Sequence, residues 1–158
     1  MGADSKLAEV LSQLNLELPP PPEPKGLYQP LVIVGNLAYT SGHLPIVPPA
    51  GMMIGRIGQD LDGKAGYEAA VRAGLAILAT LRAHLGTLDR VRRVVKILGM
   101  VNCTAEFDQQ PAVINGCSQL LADVFGPDAG IGARSAVGVA ALSAGVPVEI
   151  EAVFEIEP

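Results

Sequence analysis

The spacing of apolar residues predicts three helices. Near the N-terminus, leucine and valine recur at the i, i+3, i+4 positions of one helix face, and Asp4 is a candidate N-cap. A longer helix is predicted over residues 63–85, with Gly86 closing its end. A third is predicted to be capped by Asp108 and terminated at Gly126.

Short apolar runs predict the strands. Two of them flank Gly35-Asn36, a pair that suits the tight turn of a hairpin. Further strands are predicted over residues 53–58, 94–101, 134–142 and 148–156, the second of them buried on both faces. This order of elements predicts an α+β fold, in which two long helices pack on one face of a mixed β-sheet.

A proline-rich run over residues 19–24 separates the first helix from the rest of the chain. Such a run favours polyproline II and predicts an ordered spacer. We therefore divide the chain into an N-terminal helix and spacer over residues 1–25 and one domain over residues 26–158, which suits a length of 158 residues.

Composition narrows the possible functions. With 49% apolar and 17% charged residues the chain is not disordered, and a net charge of −5 argues against nucleic-acid binding. No apolar run is long enough to cross a membrane, and the first ten residues lack the pattern of a secretory signal, so we expect a cytoplasmic protein. Small aliphatic residues dominate the apolar set, which predicts a free sheet face that associates with copies of itself.

The sequence supports neither a metal site nor a catalytic nucleophile. The two histidines, His43 and His84, and the two cysteines, Cys103 and Cys117, do not have the spacing of a metal site. Ser41 and His43 are close in sequence, but the glycine pattern of a hydrolase nucleophile is missing.

One arginine and a pair of glutamates are candidates for chemistry. Arg134 follows an apolar, glycine-rich segment, where an arginine suits bidentate capture of a carboxylate or phosphate. The alternative is an edge arginine paired with a surface acid. Glu149 and Glu151 share one strand face and can act as acid and base, or can be solvated surface residues. Spacing alone leaves both alternatives open.

Three segments in a fixed order carry a resemblance to a known family. They are Thr40–Pro45 (TSGHLP), Val113–Asn115 (VIN), and the pair Ala133–Val137 (ARSAV) and Val148–Ala152 (VEIEA). Together they resemble the Rid/YjgF family, historically called L-PSP endoribonucleases, from about residue 26 to the C-terminus. The N-terminal helix and proline run look like those of a longer bacterial branch with a chorismate-mutase-like fold.

The resemblance implies a homotrimer with three clefts between subunits. It also implies hydrolysis of reactive enamine or imine intermediates to 2-keto acids with release of ammonia, without a metal or organic cofactor. In such a site Arg134 binds the substrate carboxylate, and Glu149 orients or activates the attacking water. The substrate-binding residues implied are Tyr28, Ser41, Gly42, Asn115 and Ala136.

The chain departs from the family pattern at two positions. Ala136 stands where a cysteine is common, which leaves only the backbone of this residue to serve, and Gly132 replaces a common proline. Two other functions remain as alternatives. One is a non-catalytic trimer that binds small carboxylates. The other is an endoribonuclease, which the acidic charge and the lack of stacking aromatic residues oppose.

Overall fold

Helices form where the apolar periodicity predicts them in the computed structural model, which describes residues 1–49 and 51–158. Their bounds are Ala3–Leu14 (α1), Gly63–Leu85 (α2), Gln110–Phe125 (α3) and Pro127–Gly130 (α4). The predicted bounds of α2 are confirmed. Gly86 terminates α2 with a φ of 82°, which glycine adopts without the steric penalty of a Cβ atom.

The prediction that Asp4 caps the first helix is wrong. Helix α1 begins at Ala3, so Asp4 lies in its first turn, where a negative charge is still favoured. Its carboxylate accepts hydrogen bonds from Thr87 Oγ1 at 2.5 Å and from the Leu88 amide at 3.2 Å. These tertiary contacts anchor α1 to the turn that follows α2.

The prediction that Asp108 caps α3 is also wrong. The helix begins at Gln110, and the residue before it makes no capping bond through its side chain. The Asp108 carboxylate instead accepts a hydrogen bond from Gln109 Nε2 at 3.0 Å. By contrast, Asp62 caps α2 by accepting a hydrogen bond from the Ala65 amide at 2.8 Å.

The strand bounds are Leu31–Val34 (β1), Leu37–Thr40 (β2), Ile46–Val47 (β3), Gly51–Met52 (β4), Val91–Asn102 (β5), Ala133–Val139 (β6) and Val148–Ile156 (β7). Five of these strands form one mixed sheet in the order β1-β2-β7-β5-β6. Strands β5 and β6 run parallel and the other neighbours antiparallel, while β3 and β4 pair apart from this sheet. The predicted hairpin is confirmed.

The strand predicted over residues 53–58 is wrong. Gly55 and Gly58 have φ values of 137° and 91°, which a regular strand does not accommodate. Within this segment Ile57 makes isolated bridges to Leu61 and Cys103. The short strands β3 and β4 lie just upstream.

Helices α2 and α3 pack together on one face of the sheet, as predicted. Gly116 lets their backbones come close, since a Cβ atom at this position would clash with the Tyr67 carbonyl. Leu7 and Val10 of α1 are buried in the same core. The N-terminal helix is therefore packed into the folded unit, while the division at residue 25 stays a prediction. None of the helices in the described ranges has the length and apolar character needed to span a membrane.

The other face of the sheet is uncovered in a single chain. The prediction that β5 is buried on both faces is therefore wrong for the single chain. The strand register puts aliphatic and aromatic side chains on this open face: Val32, Val34, Tyr39, Leu98, Met100, Val137 and Val153. A row of three glutamates on β7 (Glu149, Glu151 and Glu155) crosses it. The open face is thus mainly apolar, with an acidic stripe along β7 and the basic residue Lys96 on β5.

Candidate functional site

Glycines set the position of Arg134 at the start of β6. A Cβ atom at Gly132 would lie 2.6 Å from the Val94 carbonyl oxygen, and one at Gly130 would clash with the Leu121 carbonyl. Only glycine lets this segment pass so close to β5 and α3. The glycine-rich approach seen in the sequence thus brings Arg134 against helix α3.

Arg134 is held by neutral partners. Its Nη1 donates to Asn115 Oδ1 at 2.7 Å and to Ser118 Oγ at 3.1 Å, and these two residues lie one turn apart on α3. Across residues 1–49 and 51–158 no carboxylate oxygen lies within 4.0 Å of this guanidinium. The alternative of a surface acid as its partner is therefore not what the structure shows, and most of the guanidinium remains available to a ligand.

A cavity of about 500 Å³ opens beside Arg134. Its wall includes Asn115 and Ser118 as well as Tyr67, Ile97, Gln119, Ala122 and Ile131. The sequence pattern does not identify Ser118 as a site residue. It lies three residues after Asn115, however, a spacing that places both side chains on one face of a helix. The cavity is large enough for a small organic acid.

The buried thiol near this cavity is not a nucleophile. Cys117 is fully buried, and burial raises the pKa of its thiol to about 12, outweighing the Arg134 charge, which lowers it. A thiol with so high a pKa is protonated at neutral pH and unreactive. Arg134 thus provides the charge of this part of the site.

Ser41 organises a second group of predicted residues at the end of β2. Its hydroxyl donates to the Gln29 carbonyl at 2.5 Å, and its amide donates to the Pro30 carbonyl at 3.0 Å. These bonds hold the segment that carries Tyr28, whose hydroxyl accepts a hydrogen bond from the Lys25 amide at 3.4 Å. Ser41 acts here as a structural donor, because its hydroxyl proton is already engaged.

Gly42 and Glu149 are in close contact. A Cβ atom at Gly42 would lie 2.6 Å from Glu149 Oε2, so any larger residue would displace the carboxylate. Partial burial raises the pKa of Glu149 above its usual range, and the negative charge of Glu151 raises it further. A carboxyl group with a raised pKa can accept and return a proton at a pH closer to neutral than an ordinary carboxyl group.

A cavity of about 510 Å³ adjoins this second group. Tyr28, Ser41 and Gly42 line it together with Leu44, Ile46, Met52, Pro22 and Lys25. Pro22 belongs to the proline-rich run and Lys25 directly follows it, and the sequence pattern does not reveal that either residue contributes to the cavity. The N-terminal extension thus forms part of this wall.

The predicted residues fall into two groups that one chain keeps apart. Arg134 pairs with Ile97 of β5, whereas Glu149 pairs with Met100, three residues along the same strand. Because side chains alternate along a strand, an odd separation places the two on opposite faces. Ala136 shares the helix-covered face with Arg134. Asn115, which accepts a hydrogen bond from Arg134, belongs to the Arg134 group. Tyr28, Ser41 and Gly42 belong to the Glu149 group.

Metal-ligating side chains are scattered. Within the described ranges, no three histidine, cysteine, aspartate or glutamate side chains come together as a metal site requires. The two groups consist of an arginine, a glutamate and neutral polar residues, a donor set that suits an organic acid better than a cation.

The family model described as "YjgF/chorismate_mutase-like, putative endoribonuclease" matches residues 8–143. The chain belongs to this family. The match begins inside α1 and includes Arg134, and it confirms the resemblance to this family; of the segments that carry the resemblance, Val148–Ala152 lies beyond the matched residues.

Two relatives of the YjgF family protein match it nearly end to end. Protein TCP17 of Trypanosoma cruzi is 39% identical over 154 residues, covering 98% of this chain and 96% of that protein. The crystal structure of Atu1372 from Agrobacterium tumefaciens, described as of unknown function, is 38% identical with a TM-score of 0.89, covering 99% of this chain and 96% of that one. These matches include the N-terminal helix.

A shorter relative matches less of the chain. The crystal structure of RidA from an Antarctic Psychrobacter is 29% identical with a TM-score of 0.60, covering 85% of this chain and 93% of that one. The chorismate-mutase-like fold is therefore confirmed.

Proposed function

We propose that the protein hydrolyses 2-imino acids to 2-keto acids and ammonia. The observation that carries the proposal is the Arg134 guanidinium, held by Asn115 and Ser118 and open to a cavity without an acidic partner. A guanidinium in this state favours a carboxylate ligand, which it can hold with two parallel hydrogen bonds. Every 2-imino acid carries such a carboxylate next to its reactive carbon.

Glu149 supplies the proton transfers in this proposal. Its carboxylate takes a proton from a water molecule as the oxygen bonds to the imine carbon, and the C=N π electrons move to nitrogen, which is protonated to an amine. The carbinolamine then collapses: Glu149 passes the hydroxyl proton to the amine nitrogen, the C–N bond breaks with its electron pair going to nitrogen, and ammonia leaves as the C=O bond forms. An imine is already electrophilic, so positioning and one base are sufficient.

The reaction needs both groups of residues on one substrate. Since one chain places Arg134 and Glu149 on opposite faces of its sheet, with β5 between their strands, a second copy has to supply one of them. The uncovered aliphatic face offers a surface for such assembly. We therefore propose a homotrimer with a site in each of three clefts.

The trimer is directly measurable. Light scattering at micromolar concentration is expected to return about three times the chain mass of 16.3 kDa, because burying the aliphatic face removes apolar surface from water. A stable monomer under these conditions would contradict the shared site and the roles drawn from it.

The test of the activity is a coupled assay. A pyridoxal-dependent enzyme generates 2-iminopropionate or 2-iminobutyrate in place, and the formation of the keto acid is followed. The wild-type protein is expected to accelerate this step well above the uncatalysed rate. If 2-oxobutanoate binds while the rate stays uncatalysed, the second candidate is correct: a carboxylate-binding trimer that uses the same Arg134.

The family description also names an endoribonuclease. The net charge of −5 and the acidic stripe on the open face both oppose the attraction of a phosphate backbone, although Arg92, Arg93 and Lys96 are exposed on β5. RNA binding that weakens steeply with salt, together with cleavage, would favour that activity over imine hydrolysis.

Turnover is expected to survive extensive chelation. The proposed steps use a guanidinium, a carboxylate and water, and among residues 1–49 and 51–158 no cluster of potential metal ligands surrounds either histidine. The measurement is the coupled assay after dialysis against EDTA, with the coupling enzyme checked separately. A loss of rate that zinc or manganese restores would refute this chemistry.

A further inference from the structure

Two polar side chains lie in the apolar core behind the Ser41–Gly42 corner. His43 is 3% exposed and Thr80, in the middle of α2, is 1% exposed. His43 Nε2 lies 2.7 Å from Thr80 Oγ1, and His43 Nδ1 lies 2.7 Å from the Ser41 carbonyl oxygen. Both ring nitrogens thus have partners in the protein.

The two partners define the histidine's protonation. A carbonyl oxygen only accepts, so Nδ1 carries the hydrogen and donates to Ser41. With Nδ1 protonated in the neutral ring, Nε2 accepts from the Thr80 hydroxyl. Burial lowers the pKa of His43, which favours this neutral form. The ring therefore connects helix α2 to the corner through two directed hydrogen bonds.

The backbone of His43 extends this connection to β7. Its amide donates to the Ile150 carbonyl at 2.8 Å, and the Ile150 amide donates to the His43 carbonyl at 3.0 Å. Glu149 is the next residue along β7. While the His43 side chain lies against α2, its neighbour Gly42 contacts Glu149. One residue thus fixes the positions of Gly42 and Glu149 relative to the core.

The fold alone does not require this polar pair. A buried hydroxyl and imidazole cost free energy unless every hydrogen bond is made, whereas apolar side chains would fill the same space without that condition. We propose that His43 and Thr80 are positioning residues, forming a tether that holds the Ser41–Gly42 corner in place beside Glu149. The inference rests on the proposed function and names residues that act on the site without touching the substrate.

The first test replaces one end of the tether. Thr80→Val keeps the shape of the side chain but removes its hydroxyl, and we expect kcat to fall by about tenfold to a hundredfold as the water-activating group moves out of place. KM is expected to change little, because Arg134 lies in the other group. Thr80→Ser restores the hydroxyl and is expected to restore kcat.

A double variant separates positioning from stability. In His43→Leu/Thr80→Val neither buried polar side chain is left unpaired, although the partly buried Ser41 carbonyl loses its donor, so the unfolding temperature is expected to recover in part relative to Thr80→Val. kcat is expected to stay low, because the tether is still missing. Ile77→Val is the matched control in α2: it lowers the unfolding temperature through a small cavity and leaves kcat unchanged. If kcat recovers with stability in the double variant, the proposal is overturned.

Amide hydrogen exchange tests the tether without catalysis. Thr80→Val is expected to speed exchange at the His43 and Ile150 amides at least tenfold relative to amides within α2, since these two bonds close the corner. Unchanged exchange at both amides overturns the tether. A wild-type protein without imine turnover overturns the proposed function alone, because exchange measures the tether in the absence of substrate.

Discussion

Arg134→Ala is expected to lower kcat/KM for 2-imino acid hydrolysis by about two to four orders of magnitude. In the proposed complex the guanidinium makes two charge-assisted hydrogen bonds to the substrate carboxylate, each worth on the order of 1.5–3 kcal/mol, and about 1.4 kcal/mol corresponds to tenfold in rate. The measurement is the coupled assay at substrate concentrations below KM. Arg134→Lys is expected to recover little, since an ammonium keeps the charge but loses the planar fork.

A matched control distinguishes ligand binding from a structural role. Arg72 is also a partly buried arginine, but its guanidinium contacts the Glu68 carboxylate at 3.4 Å. Arg72→Ala is expected to leave kcat/KM near the wild-type value. If Arg134→Ala unfolds or dissociates the protein, or retains full turnover, the arginine is a structural edge residue.

The spacing of apolar residues is sufficient to predict the helices and strands that bury a continuous apolar face. Helix α2 and strand β7 were predicted with their bounds, because burial imposes a period of 3.6 on one and of 2 on the other. The prediction that Asp4 caps α1 is wrong because its carboxylate binds Thr87 and Leu88, more than 80 positions away in the chain. The strand over residues 53–58 failed because apolar pattern carries no information on the φ of Gly55 and Gly58.

The candidate site was predictable as a set of residues but not as an arrangement. Alternation along β7 places Glu149 and Glu151 on one face, yet the separation of Glu149 from Arg134 depends on the registers of two strand pairs. Such register is a property of the whole sheet. The contact of His43 with Thr80 joins positions 37 apart in the chain, and nothing in either local sequence indicates it.

Glu149→Gln is expected to lower kcat by about two to four orders of magnitude, the usual contribution of a general base. The amide can still hold a water molecule by a hydrogen bond, but it cannot accept the proton that the attacking water loses. KM is expected to change little, because carboxylate binding depends on Arg134. The control is Glu151→Gln, a carboxylate on the same strand face, for which kcat at neutral pH is expected to stay near the wild-type value.

The pH dependence gives the Glu149 assignment a second, independent test. Its pKa is raised by burial and by Glu151, so the rate is expected to fall as the pH drops through this raised pKa and the base becomes protonated. Glu151→Gln removes the like charge, lowers the pKa of Glu149 and shifts this acid limb to lower pH. In the folded protein Glu149 holds its proton to a higher pH than in the unfolded chain, so its contribution to stability decreases as the pH rises through that interval. Glu149→Gln is therefore expected to raise the unfolding temperature at neutral pH but not at acidic pH. An acid limb that Glu151→Gln does not move would show that another group titrates in the reaction.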